Sequence, residues 1–136
     1  MTGTFTSKIP DRKISSGRLA AFDVLRSVAR GAYASDALLD RTNSLETRDA
    51  GLASQIVFGC LRYQAQLDYL LLTYSGRAPA ELDESVLIAL RVGIFQVRYL
   101  DRIPPHAAVH ESVELVKRHK RVAAGFAIRP AAPRRP

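Results

Sequence analysis

Apolar residues recur in this chain at helical spacing and in no segment alternate as a strand would. Leu67, Leu70, Leu71 and Tyr74 fall at i, i+3, i+4 and i+7, which stacks four side chains on one face of an α-helix. The same reading predicts a helix from Ser15 or Ser16 to about Arg30, with Leu19, Phe22, Leu25 and Val28 inward and Gly31 as its stop. Ser35 is expected to cap a short helix through Leu38, Leu39 and Arg41, and Thr47 a longer one to about Tyr63. In the longer helix Leu52, Ile56, Gly59 and Tyr63 share a face, widened by Phe58 and Leu61. Gly51 and Gly59 weaken it and are expected only where backbones approach closely or a bend is tolerated.

Ser75-Gly76-Arg77-Ala78-Pro79 closes the Leu67–Tyr74 helix, and Asp83 caps the next, to about Leu100, with Leu87, Leu90, Ile94 and Val97 as its buried stripe. Pro104-Pro105 starts a further helix that carries Val109, Val113 and Val116 inward. About six helices joined by short loops, with no internal repeat, predict an all-α fold, a compact helical bundle. Three stretches are expected: residues 1–14 as a flexible basic arm, 15–126 as the helical domain, and 127–136 as a tail rich in proline and arginine. Ala123-Ala124-Gly125-Phe126 starts like one more helix, which Pro130 and Pro133 halt, so the bundle is expected to lack its closing helix. An uncovered groove would follow, and self-association with it.

Charge divides the chain more sharply than composition does. Of 136 residues, 20 are Lys or Arg and 13 are Asp or Glu; all 13 acids precede Lys117 and are balanced there by 13 bases. The excess of seven therefore lies in Lys117, Arg118, Lys120, Arg121, Arg129, Arg134 and Arg135, with a smaller basic bias at Lys8, Arg12, Lys13 and Arg18. Two basic ends on a neutral body attract a polyanion through phosphate contacts and counterion release. Tyr33, in an expected loop, adds a ring for a base or a partner, whereas Tyr63, Tyr69, Tyr74 and Tyr99 fall on or near apolar stripes and are expected in the core or at its rim. Arg62 and Arg91 sit beside buried positions and are expected to pair with acids such as Glu111.

Catalytic chemistry finds little support in these residues. Cys60 stands alone, which excludes a disulfide framework and a cysteine-rich zinc module, and is expected to be an inert core thiol. His106 and His110 are four apart, but the order His-Ala-Ala-Val-His-Glu lacks the glutamate that a zinc protease helix sets after its first histidine. No metal, no cofactor and no active site are expected. No apolar run approaches the roughly twenty residues of a membrane helix, so the expected setting is cytoplasmic.

Three stretches resemble a known family. Gly59-Cys60-Leu61-Arg62, then Leu90-Arg91-Val92-Gly93-Ile94-Phe95-Gln96-Val97-Arg98-Tyr99-Leu100, and above all Ile103-Pro104-Pro105-His106-Ala107-Ala108-Val109-His110-Glu111-Ser112-Val113-Glu114-Leu115-Val116-Lys117 are similar to the NusB-like helical domain. The version at the amino end of RsmB-type ribosomal RNA cytosine-5 methyltransferases matches best, over about residues 15–126. The Arg62 motif and Gln96 resemble that branch more than the free-standing antitermination factor. The resemblance implies an RNA-binding accessory domain that engages ribosomal RNA, with the S-adenosylmethionine-binding catalytic domain absent from this chain, which is then no enzyme. The alternative it implies is an antitermination or termination factor docking a ribosomal or transcription protein. Under the resemblance Arg12, Lys13 and Arg18 correspond to the basic start, and His106 and Glu111 fall in its proline-histidine-alanine signature. His110 departs from the usual asparagine, and Ala127-Ile128-Arg129-Pro130 departs from the closing helix. The candidate RNA-binding residues are Arg12, Lys13, Arg18, Tyr33, Lys117, Arg118, Lys120 and Arg121.

Overall fold

The computed structural model describes residues 14–100 and 104–126, the side chains of Pro105, Val109 and 121–126 excepted. Six α-helices follow in order: α1 (Ser16–Ala29), α2 (Ala34–Thr42), α3 (Thr47–Arg62), α4 (Gln64–Ser75), α5 (Glu84–Tyr99) and α6 (Pro105–Phe126), with one 3-10 turn at Pro79–Glu81 before α5. Of the arm expected at residues 1–14 only Ile14 is described, and it packs partly buried against the core; residues 1–13 and the tail expected at 127–136 lie outside the described residues.

Local chemistry explains most of the boundaries. The Ser15 hydroxyl accepts the Arg18 amide at 3.2 Å and so caps α1. Gly31 and Gly76 take φ values of 109° and 76°, which side chains resist, at the ends of α1 and α4. Two expected caps move. Tyr33 holds the N-cap of α2 and Ser35 lies inside it; Glu46 holds that of α3 and Thr47 is its first residue. Neither Tyr33 nor Glu46 makes a side-chain cap bond, so packing rather than capping sets those two starts.

α5 lies at the centre and touches α1, α3, α4 and α6, while α1 packs against α2 and α3. This position corrects the expected inward stripe of α5. Its buried face is Ile88, Ala89, Val92, Phe95 and Gln96, whereas Val97 is 45% exposed. α6 shifts likewise: Ala108, Ser112 and Leu115 point inward and Val113 is 47% exposed. Both helices are apolar around more than half of their circumference, so periodicity alone leaves the choice of face open. The Ala123–Phe126 stretch, expected to begin a separate helix, continues α6.

The core gathers Val24 from α1, Ile56 and Val57 from α3, Leu67 from α4, Val92 from α5 and Leu115 from α6. Two polar side chains enter it with partners. Ser112 Oγ donates to the Ala89 carbonyl at 3.0 Å, tying α6 to α5, and Gln96 Nε2 donates to the Val92 carbonyl within its own helix at 3.3 Å.

Candidate nucleic-acid interface

The candidate residues do not form one patch. Arg12 and Lys13 lie outside the described residues, and so does the side chain of Arg121. Arg18, expected to face a polyanion, turns inward: its Nε donates to Gln96 Oε1, and its Nη1 lies 3.1 Å from Ser15 Oγ and 3.3 Å from Glu111 Oε2. The ion pair is mostly buried and joins α1 to α6 through the buried amide of α5. Glu111 is thus paired, but with Arg18 rather than with Arg62 or Arg91. Arg91 instead makes a fork to Asp68 of α4, at 2.7 and 2.9 Å.

Tyr33 is 79% exposed at the start of α2, and Lys117, Arg118 and Lys120 are exposed on α6. Lys117 Nζ comes within 3.9 Å of Glu114 Oε2, a loose surface pair that leaves its charge largely available. His119 faces the other way and meets the Phe22 ring edge to face, centroids 6.1 Å apart. That contact brings the basic run of α6 against the last turn of α1, where Arg26 and Arg30 act on the imidazole. Burial first, and then these two guanidiniums, hold the His119 pKa below its usual range, while Asp23 and Glu84 oppose the shift. Arg26 and Arg30 of α1 thus lie near His119, while Lys117, Arg118 and Lys120 stay exposed on α6. Arg30 itself reaches Glu84 at 3.0 Å in an exposed pair.

Two features escape the sequence reading. One is an apolar groove of about 810 Å³ between α4, α5 and α6, lined by Leu70, Leu90, Ile94, Val97, Val113 and Val116. It holds Leu90, Ile94 and Val97 of α5 and Val113 and Val116 of α6, all expected to be buried. The other is a pocket of about 610 Å³ at the carboxyl end of α3, bounded by Phe58, Arg62, Tyr63 and Phe95. Tyr63 and Tyr99 stack beside it, centroids 4.7 Å apart and 13° from parallel. Tyr69 and Tyr74, expected at the core or its rim, are well exposed on α4. The spacing of Phe58 and Arg62 at i and i+4, followed at once by Tyr63, was the available signal for the pocket.

Cys60 is buried in α3 and its thiol is pushed up to about 12, by burial above all, with Arg91 opposing. His106 and His110 are exposed. Among the described residues no group of three His, Cys, Asp or Glu side chains is arranged to hold a metal ion, and no helix is long and apolar enough to cross a membrane.

The molecule is an all-α bundle with exposed basic side chains on α6 and an aromatic-lined pocket at the carboxyl end of α3. The chain belongs to the NusB family, whose model matches residues 15–127. Among curated proteins it is 32% identical over 108 residues to the probable ribosomal RNA small subunit methyltransferase B of Bacillus subtilis, covering 77% of this chain and 24% of that protein. It is 36% identical over 106 residues to a putative methyltransferase of Mycobacterium tuberculosis, covering 76% and 23%. With the ribosomal RNA small subunit methyltransferase B of an Escherichia coli strain it shares 34% over 96 residues, covering 71% and 22%. The chain thus spans about a quarter of the length of these relatives.

Proposed function

We propose that this domain binds RNA, ribosomal RNA in particular, as an accessory to a ribosomal RNA methyltransferase whose chemistry resides outside these residues. The observation that carries the reading is the family match together with relatives named as ribosomal RNA small subunit methyltransferases. The geometry supports it through the basic run of α6, where Lys117, Arg118 and Lys120 stay exposed. Arg121 continues that run in sequence, Arg12 and Lys13 form the second basic end, and Tyr33 offers an exposed ring. Arg18 takes a different part: it is a strut between helices, and its loss acts on stability before it acts on RNA.

The test is fluorescence anisotropy with a small-subunit ribosomal RNA fragment and a composition-matched control, titrated across salt. Preference for the ribosomal fragment at roughly 0.15 M salt supports the reading, since phosphate attraction alone favours neither RNA. Replacing Lys117, Arg118 and Lys120 with glutamine is expected to flatten the salt dependence, by about 0.7 to 0.9 in slope for each phosphate no longer neutralised. Equal binding of both RNAs that vanishes with salt overturns it and moves the function to protein docking, whether to a ribosomal or to a transcription protein.

The groove favours a second reading, self-association between copies of the chain. Val97 and Val113, each close to half exposed, line the groove beside Leu70, Leu90, Ile94 and Val116, which leaves an apolar face without a covering element among the described residues. Sedimentation reads this directly, and a monomer at every concentration ends it.

A further inference from the structure

We propose that the pocket at the carboxyl end of α3 takes an unstacked nucleobase of single-stranded RNA, with Arg62 holding the adjoining phosphate. This rests on the RNA-binding reading and deepens it, since the bases of α6 attract a backbone and identify no base.

The pocket is built from three rings and one cation. Phe58 is 43% exposed although its neighbours Val57 and Cys60 are fully buried, and Tyr63 is partly open at the α3–α4 junction. Phe95 closes the floor, and it lies against α3 only because residue 59 is glycine: a Cβ there would stand 2.2 Å from the ring. Tyr99 tilts onto Phe95 with centroids 5.3 Å apart and stacks on Tyr63 at 4.7 Å, and its hydroxyl donates to Gln66 Oε1. The aromatic row is therefore held in place before any ligand arrives, which lowers the ordering cost of binding.

Charge selects the occupant. The Arg62 guanidinium lies 5.8 Å from the Tyr63 ring, and Arg98 lies 5.9 Å from Tyr99 at the other end of the stack. Among the described residues neither arginine has a carboxylate partner, whereas Arg18, Arg30, Arg41 and Arg91 all do. Among the described residues no acid lines the pocket, and the Gln55 side chain supplies both a donor and an acceptor for a base edge. Its volume of about 610 Å³ admits one base with part of its ribose phosphate. Unstacked single-stranded bases are held by stacking on aromatic faces and on arginine guanidinium planes.

The experiment uses the full chain and a short single-stranded RNA carrying 2-aminopurine at its centre, which reports stacking through its fluorescence. Binding is expected to change the probe's fluorescence, and Phe58→Ala to remove that change and weaken affinity about tenfold or more. Arg62→Ala is expected to weaken affinity while Arg62→Lys recovers only part of it, because the planar group is lost. Glutamine at Lys117, Arg118 and Lys120 is expected to weaken binding yet leave the change of fluorescence at saturation intact. An unchanged melting temperature for Phe58→Ala keeps the comparison clean. If Phe58→Ala binds and alters the probe as the unmodified chain does, the pocket assignment is overturned and RNA binding stands. If the variant leaves RNA binding intact and abolishes capture of a ribosomal protein, the pocket belongs to a protein partner and the assignment is likewise overturned. If the unmodified chain binds no RNA at all, both readings fall together.

Discussion

Burial decides what Cys60 and His119 can do. With its thiol pushed up to about 12, Cys60 carries almost no thiolate near neutrality, so a disulfide reagent finds it only through unfolding. In the native protein at pH 8 its modification is expected to be slower by orders of magnitude than in urea, and equal rates would place the thiol at the surface. For His119 the folded pKa is lowered from 6.5, chiefly by burial. Above about 6.5 the imidazole is neutral both folded and unfolded, and its stabilising preference for the neutral form is fully present. As pH falls the unfolded chain takes the proton first, so stability is lost until the folded group titrates too. The urea midpoint is expected to drop between pH 7.5 and 5.5, and His119→Leu to flatten that drop. Cys60 was legible as an inert core thiol from its place in an apolar helix, whereas His119 was hidden inside a run of bases that reads as uniformly exposed.

Within a single helix, two glycines make opposite predictions. Gly51 and Gly59 both weaken α3 by propensity, roughly 1 kcal/mol each relative to alanine. A Cβ at Gly51 meets nothing within 4 Å, so Gly51→Ala is expected to stabilise the protein by up to about 1 kcal/mol. At Gly59 the same Cβ would strike the buried Phe95 ring, and the overpacking cost of about 1–3 kcal/mol outweighs the propensity gain. Gly59→Ala is therefore expected to lower the thermal midpoint while Gly51→Ala raises it, and equal shifts would show that Phe95 moves aside freely. The sequence marked both positions as unusual and could not separate them, because the ring that fills one comes from α5, some thirty-five residues away. The link between α4 and α5 makes a similar prediction. Asp68→Ala leaves the mostly buried Arg91 guanidinium without its fork and is expected to cost about 2 kcal/mol in urea denaturation.

For the whole molecule the groove between α4, α5 and α6 is where packing stops short. Its lining reads as core in the sequence and is only partly covered in the fold, with Val97 and Val113 close to half exposed. If copies associate across it, Val97→Asp and Val113→Asp are each expected to shift sedimentation toward the monomer without lowering helical content. Association unaffected by either substitution would locate the interface elsewhere.

The helical class, the number of helices and most of their ends were legible along the chain, since spacing, glycine stops and Pro104-Pro105 act within a few residues of one another. The sequence also carried the family, through the run from Ile103 to Lys117 and the Arg62 motif. Only the tertiary structure decided which face of α5 and α6 is inside, that Arg18 rather than Arg91 meets Glu111, and that Phe58, Tyr63 and Phe95 converge on one pocket. Local periodicity records that a helix has an apolar side. Which of two apolar sides is buried, and which charge finds a partner, depends on residues brought together from distant parts of the chain, and those contacts exist only once the helices have packed.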